Sequence, residues 1–262
     1  MDWEIKAIVS VEGRDFREDR SAVSLIFDAG GRPDISAIAT IAASNGNFSL
    51  NSNPPGISLG AKGWVELLVN GLTFDVTGLR PGPGDAQPEQ KHLFGLTGTS
   101  DFAACETVTI RPGTHLSGGR TMFPVLRSLA LVAALLSDLP QLRAIAWHPA
   151  RSWSEPGYFR SIVFRWIEGG VFPGLGLTAV TPTEEGGLMS EGLATFSGQE
   201  LVLSPELARD RAEGTKLALR LINWLTENGR IDEGTSIMGP SGETLHLVPD
   251  ANQQFVKVTA SF

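Results

Sequence analysis

Apolar residues alternate with polar ones in several short runs of the chain, and in a few longer runs they recur at three- and four-residue spacing. Alternation of period two reads as half-buried strands, and the longer spacing reads as helices. The alternating runs predict strands over residues 5–11 and 21–28, with a charged turn over 12–20 between them. They also predict a hairpin over 64–78, in which WVELLV and LTFDV flank Asn70-Gly71. Asn and Gly tolerate the positive φ of a tight hairpin turn. Further strand-like runs occupy 93–96, 103–110, 143–147, 175–180, 192–196, 200–203, 244–248 and 255–259.

Helical spacing begins at Ile35, Ile38, Ile41 and Ala42, after the capping residue Asp34 and before Gly46. The Ile and Thr content there suits a strand as well. Leu126, Leu129, Ala130, Ala133 and Leu136 define one face of a helix over 121–137, with Pro124 in its first turn. A helix over 154–168 takes Ser154 as its cap. The longest helix is predicted over 205–228, with Ser204 as cap, Pro205 at the first position and Asn228-Gly229 as the stop. Residues 48–59 read as a loop with short extended pieces. Residues 80–91, RPGPGDAQPEQK, break every periodicity and form a linker or a crossing loop.

Strands and helices are thus interspersed, with hairpins in both halves. The expected fold class is α+β, with mainly antiparallel sheets, helices packed on one side, and two similar-sized α/β halves. The expected organisation is a β-rich half over 1–80, a linker or crossing loop over 81–91, and an α+β domain over 92–262. No internal repeat is visible, which excludes solenoids and propellers.

Composition narrows the partners. The apolar share of 42% supplies a sizeable core, and the net charge of −8 opposes binding to nucleic acid or an anionic membrane surface. A single cysteine, Cys105, excludes an intrachain disulfide framework and fits a reducing cytoplasm. The acidic start of the chain is no secretory signal. The most apolar run, 122–136, contains Arg127 and is shorter than the roughly 20 residues that span a bilayer.

The most suggestive motif is RPGTHLSGGR, ending at Arg120 between a strand and a helix. The spacing from Gly113 to Gly118 fits a phosphate loop, but Gly119 stands where the lysine belongs. Two glycines allowing a tight turn is the plainer reading; Arg120 remains a candidate anion contact. His92, His115, His148 and His246 show no metal-ligand spacing, so no metal site and no cofactor is expected. His148 follows a buried strand and is crowded by Trp147, Arg151, Trp153 and Tyr158, a setting in which pockets form. Cys105 has no Cys-His signature, and no G-x-S-x-G elbow is present. Glu184, Glu185, Glu191 and Glu200 read as a solvated acidic face or, in pairs, as acid and base.

From residue 21 onward, the order of segments is similar to that of the bacterial family known as domain of unknown function 4261. The stretches that carry the similarity are VNGLTFDVTGLRPGPG, Lys91-His92, RAIAWHP, SEPGYF, GGLMSEGLATFSGQELVL and DEGTSIMGPSGETLHLV. The resemblance implies a fold and a bacterial cytoplasmic origin. It implies no activity and no catalytic residue.

Two functions follow. The first is a non-enzymatic module that binds a protein or self-associates, using some of its six tryptophans, of which Trp3, Trp64 and Trp153 lie near segment ends. The second is a small-molecule or anion binder, or a hydrolase-like enzyme, with a pocket near His148. There His148 is the acid or base, Arg151 or Arg120 the anion clamp, Glu191 or Glu200 the orienting partner, and Trp153 a further ligand contact.

Overall fold

The computed structural model describes residues 21–51, 63–97 and 101–261. The strand predicted over 5–11, the turn over 12–20, Trp3 and residues 52–59 lie outside the described residues. In chain order the elements are β1 (Val23–Phe27), α1 (Ile35–Asn45), β2 (Ser49–Asn51), β3 (Val65–Val69), β4 (Leu72–Thr77), β5 (His92–Phe94) and β6 (Glu106–Pro112). A 3-10 turn (Thr114–Gly119), α2 (Phe123–Leu135), β7 (Leu142–Trp147), β8 (Ser152–Ser154) and α3 (Pro156–Ile167) follow. The chain ends with β9 (Ala179–Pro182), β10 (Leu188–Glu191), α4 (Ala194–Ser197), β11 (Glu200–Leu203), α5 (Arg211–Asn228), β12 (Thr235–Met238), β13 (Thr244–Pro249) and β14 (Phe255–Ser261).

Among the described residues the strands form two sheets, in the orders β2-β3-β4-β6-β1-β7-β8-β5 and β12-β13-β14-β11-β10-β9. Both are antiparallel except for the pairs β5/β8 and β11/β14. The fold is α+β with two mainly antiparallel sheets. The first sheet takes strands from both sides of residues 81–91, so that stretch crosses within one sheet. Asp85 pins it there, with its N–H donating to Thr107 O at 2.9 Å.

Alternation decides which face of the first sheet is dry. Val23, Leu25, Phe27, Leu67, Phe74, Val76, Val108, Ile110, Ile145 and Trp147 point to one side and join α2 in the core. The face of α2 named from its spacing, Leu126 to Leu136, is fully buried there. Each such large side chain contributes on the order of 1.5–3 kcal/mol by leaving water. The same cluster continues through α3 and α5 into Leu201, Leu203, Val256 and Val258 of the second sheet.

The hairpin forms as predicted, with Asn70 at φ 52° and Gly71 at φ 78°. Asp34 and Gly46 bound α1 as predicted: the Asp34 side chain accepts from Ala37 N–H, and Gly46 is left-handed. Four boundaries differ. Helix α3 is capped by Glu155, whose carboxylate accepts from Gly157 and Tyr158 N–H, because Ser154 is committed to β8. Helix α5 starts at Arg211 rather than 205. Ser204 N–H is drawn onward to Val258 O as a strand extension, and Asp210 caps Ala212 and Glu213 instead. The run 175–180 is a strand only from Ala179 onward. Residues 192–196 are no strand: the buried Glu200 carboxylate gathers the N–H groups of Gly192, Leu193 and Ala194 and folds them into a turn and α4.

Candidate functional site

The face of the first sheet opposite the core is polar where β3, β4, β6 and β1 meet. Two rows of side chains cross the strands there, and the strand register defines both. One row runs Asn51, Glu66, Asp75, Arg111 across β2, β3, β4 and β6. The next runs Thr77, Thr109, Ser24 across β4, β6 and β1. Residues directly opposite in an antiparallel pair place their Cβ atoms about 4.5–5.5 Å apart. Glu66 and Asp75 are therefore a like-charge pair, while Arg111, opposite Asp75 in register, has its ion pair with Asp85, Nη1 to Oδ2 3.9 Å.

The second row is joined by hydrogen bonds. Ser24 Oγ lies 3.1 Å from Thr109 Oγ1 and 2.9 Å from His148 Nε2. Thr77 Oγ1 donates to Asp85 Oδ2 at 2.5 Å, and Arg111 donates to Thr77 Oγ1 at 3.4 Å. A serine hydroxyl against a histidine nitrogen has the spacing of a nucleophile and its base. Ser24, however, is 0% exposed, so no substrate reaches it. The pair satisfies buried polar groups between strands.

At the end of these rows opens a cleft of about 240 Å³, lined by Ser21, Trp64, Asp75, Thr77, Arg111 and Arg120 among others. Its floor is the turn after β6. Gly113 is needed there because a Cβ would meet Thr73 Oγ1 at 2.5 Å, while its N–H donates to Thr73 O at 2.9 Å. This close approach explains the glycine of RPGTHLSGGR without a phosphate loop: the following residues form the 3-10 turn, and Arg120 Nε donates to Ser117 O at 3.1 Å. Burial, then the Glu66 charge, push the Asp75 carboxyl above its ordinary value, against a hydrogen bond from Trp64 and the nearby His115. Ser21 is 2% exposed, and its Oγ has no hydrogen-bond partner among the described residues.

The other predicted candidates are placed elsewhere. Arg151 and Glu191 do meet, in an ion cluster joining the two sheets. Glu191, at the end of β10, also accepts from Lys91 Nζ at 2.7 Å and His92 Nε2 at 2.8 Å, while Arg151 reaches Glu89 at 2.8 Å. Burial alone would raise the Glu191 carboxyl, but the bonds from Arg151, His92 and Lys91 and the Arg151 charge hold it down at about 2. Glu200 is committed to the turn over 192–194 and to Ser190 Oγ at 2.5 Å. Burial raises its carboxyl against those hydrogen bonds. Trp153 is core: at 2% exposed, it packs with Ile26, Ala144 and Ala146 under Phe102 and Cys105. His148 does not line the cleft and meets Ser24 instead.

Of the cleft residues, sequence reasoning named Arg120 as a contact and Trp64 only as an aromatic near a segment end. Asp75, Thr77, Arg111 and Ser21 were missed, although alternation in LTFDVT places Asp75 and Thr77 on one face. That β6 is their neighbour is set by long-range pairing. Among the described residues, no group of three or more His, Cys, Asp or Glu is arranged to hold a metal ion, and no helix is long and apolar enough to cross a membrane. Compared with known proteins, the chain matches no family model, no curated protein and no solved structure.

Proposed function

We propose that this protein is a cytoplasmic binding protein for a small polar ligand carrying an anionic group, held in the cleft between β4, β6 and the turn at 113–120. The observation that carries this reading is convergence. Arg111, Arg120, Asp75 and Thr77 all line one cavity beside Trp64. A largely formed cavity with a few convergent polar groups is the usual form of a small-ligand site. Its volume is below the roughly 300–1,000 Å³ of pockets for drug-sized molecules, which favours a small metabolite. Binding rather than catalysis is favoured because the His148 pairing is buried and Glu191 and Glu200 are each committed to structural contacts. Calorimetric titration with small carboxylates, phosphates and amino acids tests the reading. Saturable binding that Arg111→Gln weakens supports it, and no binding by any of them overturns it.

A second reading, self-association or protein binding, is favoured by a different surface. An apolar groove of about 380 Å³ runs between α5 and the edge strand β12, lined by Leu217, Leu221, Trp224, Ile237 and Met238, the last 84% exposed. The tryptophans lend it less than the sequence suggests, since Trp147, Trp153 and Trp166 are buried. Light scattering of the purified chain tests it: a dimer dispersed by Met238→Ser supports this reading, and a strict monomer removes self-association.

A further inference from the structure

We infer that the cleft is an α-amino-acid site, in which Arg111 and Arg120 take the ligand carboxylate and Asp75 takes its ammonium group; this rests on the small-ligand reading above. The argument starts from the register. Asp75 and Arg111 occupy opposite register positions on β4 and β6 and both line the cleft, with the Arg111 guanidinium leaning towards Asp85 (Nη1 to Oδ2 3.9 Å), so the wall offers a carboxyl and a guanidinium within one small cavity. A ligand with carboxylate and ammonium on one carbon carries the same two charges at a short separation. Guanidinium and carboxylate pair in a planar, two-pronged geometry, which makes arginine the fitting partner for that end.

Three observations select a zwitterion over a simple anion. The first is the Asp75 carboxyl itself, which repels an anion entering beside Arg111 but attracts an ammonium group. The second is the row behind it. Glu66 faces Asp75 across β3 and β4 and is itself buried, its carboxylate held by Asn51 Nδ2 at 2.6 Å. Like charges directly opposite are destabilising, and a cation arriving at Asp75 offsets that repulsion. The third is the field of the whole chain: at a net charge of −8 it disfavours the approach of an anion and leaves a neutral zwitterion unaffected.

The remaining lining suits the rest of the molecule. Thr77 Oγ1, whose proton goes to Asp85, presents a remaining lone pair to an ammonium group, and the half-buried Trp64 offers an apolar wall for a side chain.

The test uses the full chain. Thermal-shift screening of the twenty L-α-amino acids one at a time selects the best probe. Calorimetry then compares that amino acid with its des-amino acid, its decarboxylated amine and inorganic phosphate. The amino acid is expected to bind at least tenfold more tightly than any of the three. Asp75→Asn is expected to bring the amino acid down to the level of its des-amino analogue, with the analogue's own affinity unchanged or improved. Should Asp75→Asn fail to fold, the analogue comparison on the unaltered chain decides alone. Phosphate or the des-amino acid binding as tightly as the amino acid overturns the inference and leaves a general anion site. No binding by any probe overturns the inference together with the small-ligand reading.

Discussion

The ion cluster between the two sheets allows a stability prediction with a sign and a size. Glu191 is held at about 2, against an ordinary 4.5. The difference of about 2.5 units corresponds to about 3 kcal/mol at roughly 1.36 kcal/mol per unit. Glu191 itself is 16% exposed, but Lys91 and Arg151 are 41% and 37% exposed, so water and salt screen the cluster. Screening brings the expected contribution to about 1–2 kcal/mol. A carboxyl whose folded value lies below its unfolded one adds stability that is fully present above pH 4.5. That stability is lost as the pH falls toward 2. Glu191→Gln should therefore unfold at lower urea than the parent chain at pH 7, by an amount equivalent to about 1–2 kcal/mol. Most of that gap should close by pH 2. Tryptophan fluorescence along urea titrations at pH 7, 4 and 2 measures it. Equal midpoints at pH 7, or a gap that stays the same at pH 2, would refute the reasoning.

Three further outcomes are expected. Glu200→Gln replaces one of two oxygens that between them accept from Ser190 Oγ and three backbone N–H groups. It should cost about 1.5–3 kcal/mol in chemical denaturation. Gly78→Ala puts a Cβ 2.6 Å from Thr107 O at a φ of +82°. It should destabilise the fold by at least ~1–3 kcal/mol and speed proteolytic nicking within 81–91, read by mass spectrometry of the fragments. Ser24→Ala removes hydrogen bonds to His148 and Thr109. It should cost about 1–2 kcal/mol in stability without changing calorimetric ligand affinity, and the parent chain should resist labelling by a fluorophosphonate probe. Labelling of Ser24 would restore a catalytic reading.

Local chemistry was legible wherever a short stretch decides its own conformation. Asn70-Gly71 makes its turn, Asp34 and Gly46 bound α1, and α2 buries the face that its spacing defines. Reading failed where a group further along the chain competes for the backbone. Ser204 is an adequate cap by type, but it opens only a turn, accepting from Leu207 N–H at its C=O, and the helix starts after Asp210, whose side chain accepts from Ala212 and Glu213 N–H. Residues 192–196 have strand-like composition, but a buried carboxylate six to eight residues further along the chain collects their donors. The candidate residues fared the same way. His148 was singled out for its aromatic neighbours, yet its ring meets Ser24, which is 124 residues away in the chain.

The sequence by itself determined the elements whose ends are set by nearby residues, such as the 64–78 hairpin, α1 and the buried face of α2, and the charge that the whole molecule presents. These follow from period, propensity and composition, each of which acts within a few residues or over the chain as a sum. Only the tertiary structure decided that β6 lies beside β4, which sets Arg111 opposite Asp75 and creates the cleft. It also decided that Glu191 closes the cluster between the sheets. Pairing between strands more than thirty residues apart depends on which faces bury together most completely, and no local pattern encodes that choice.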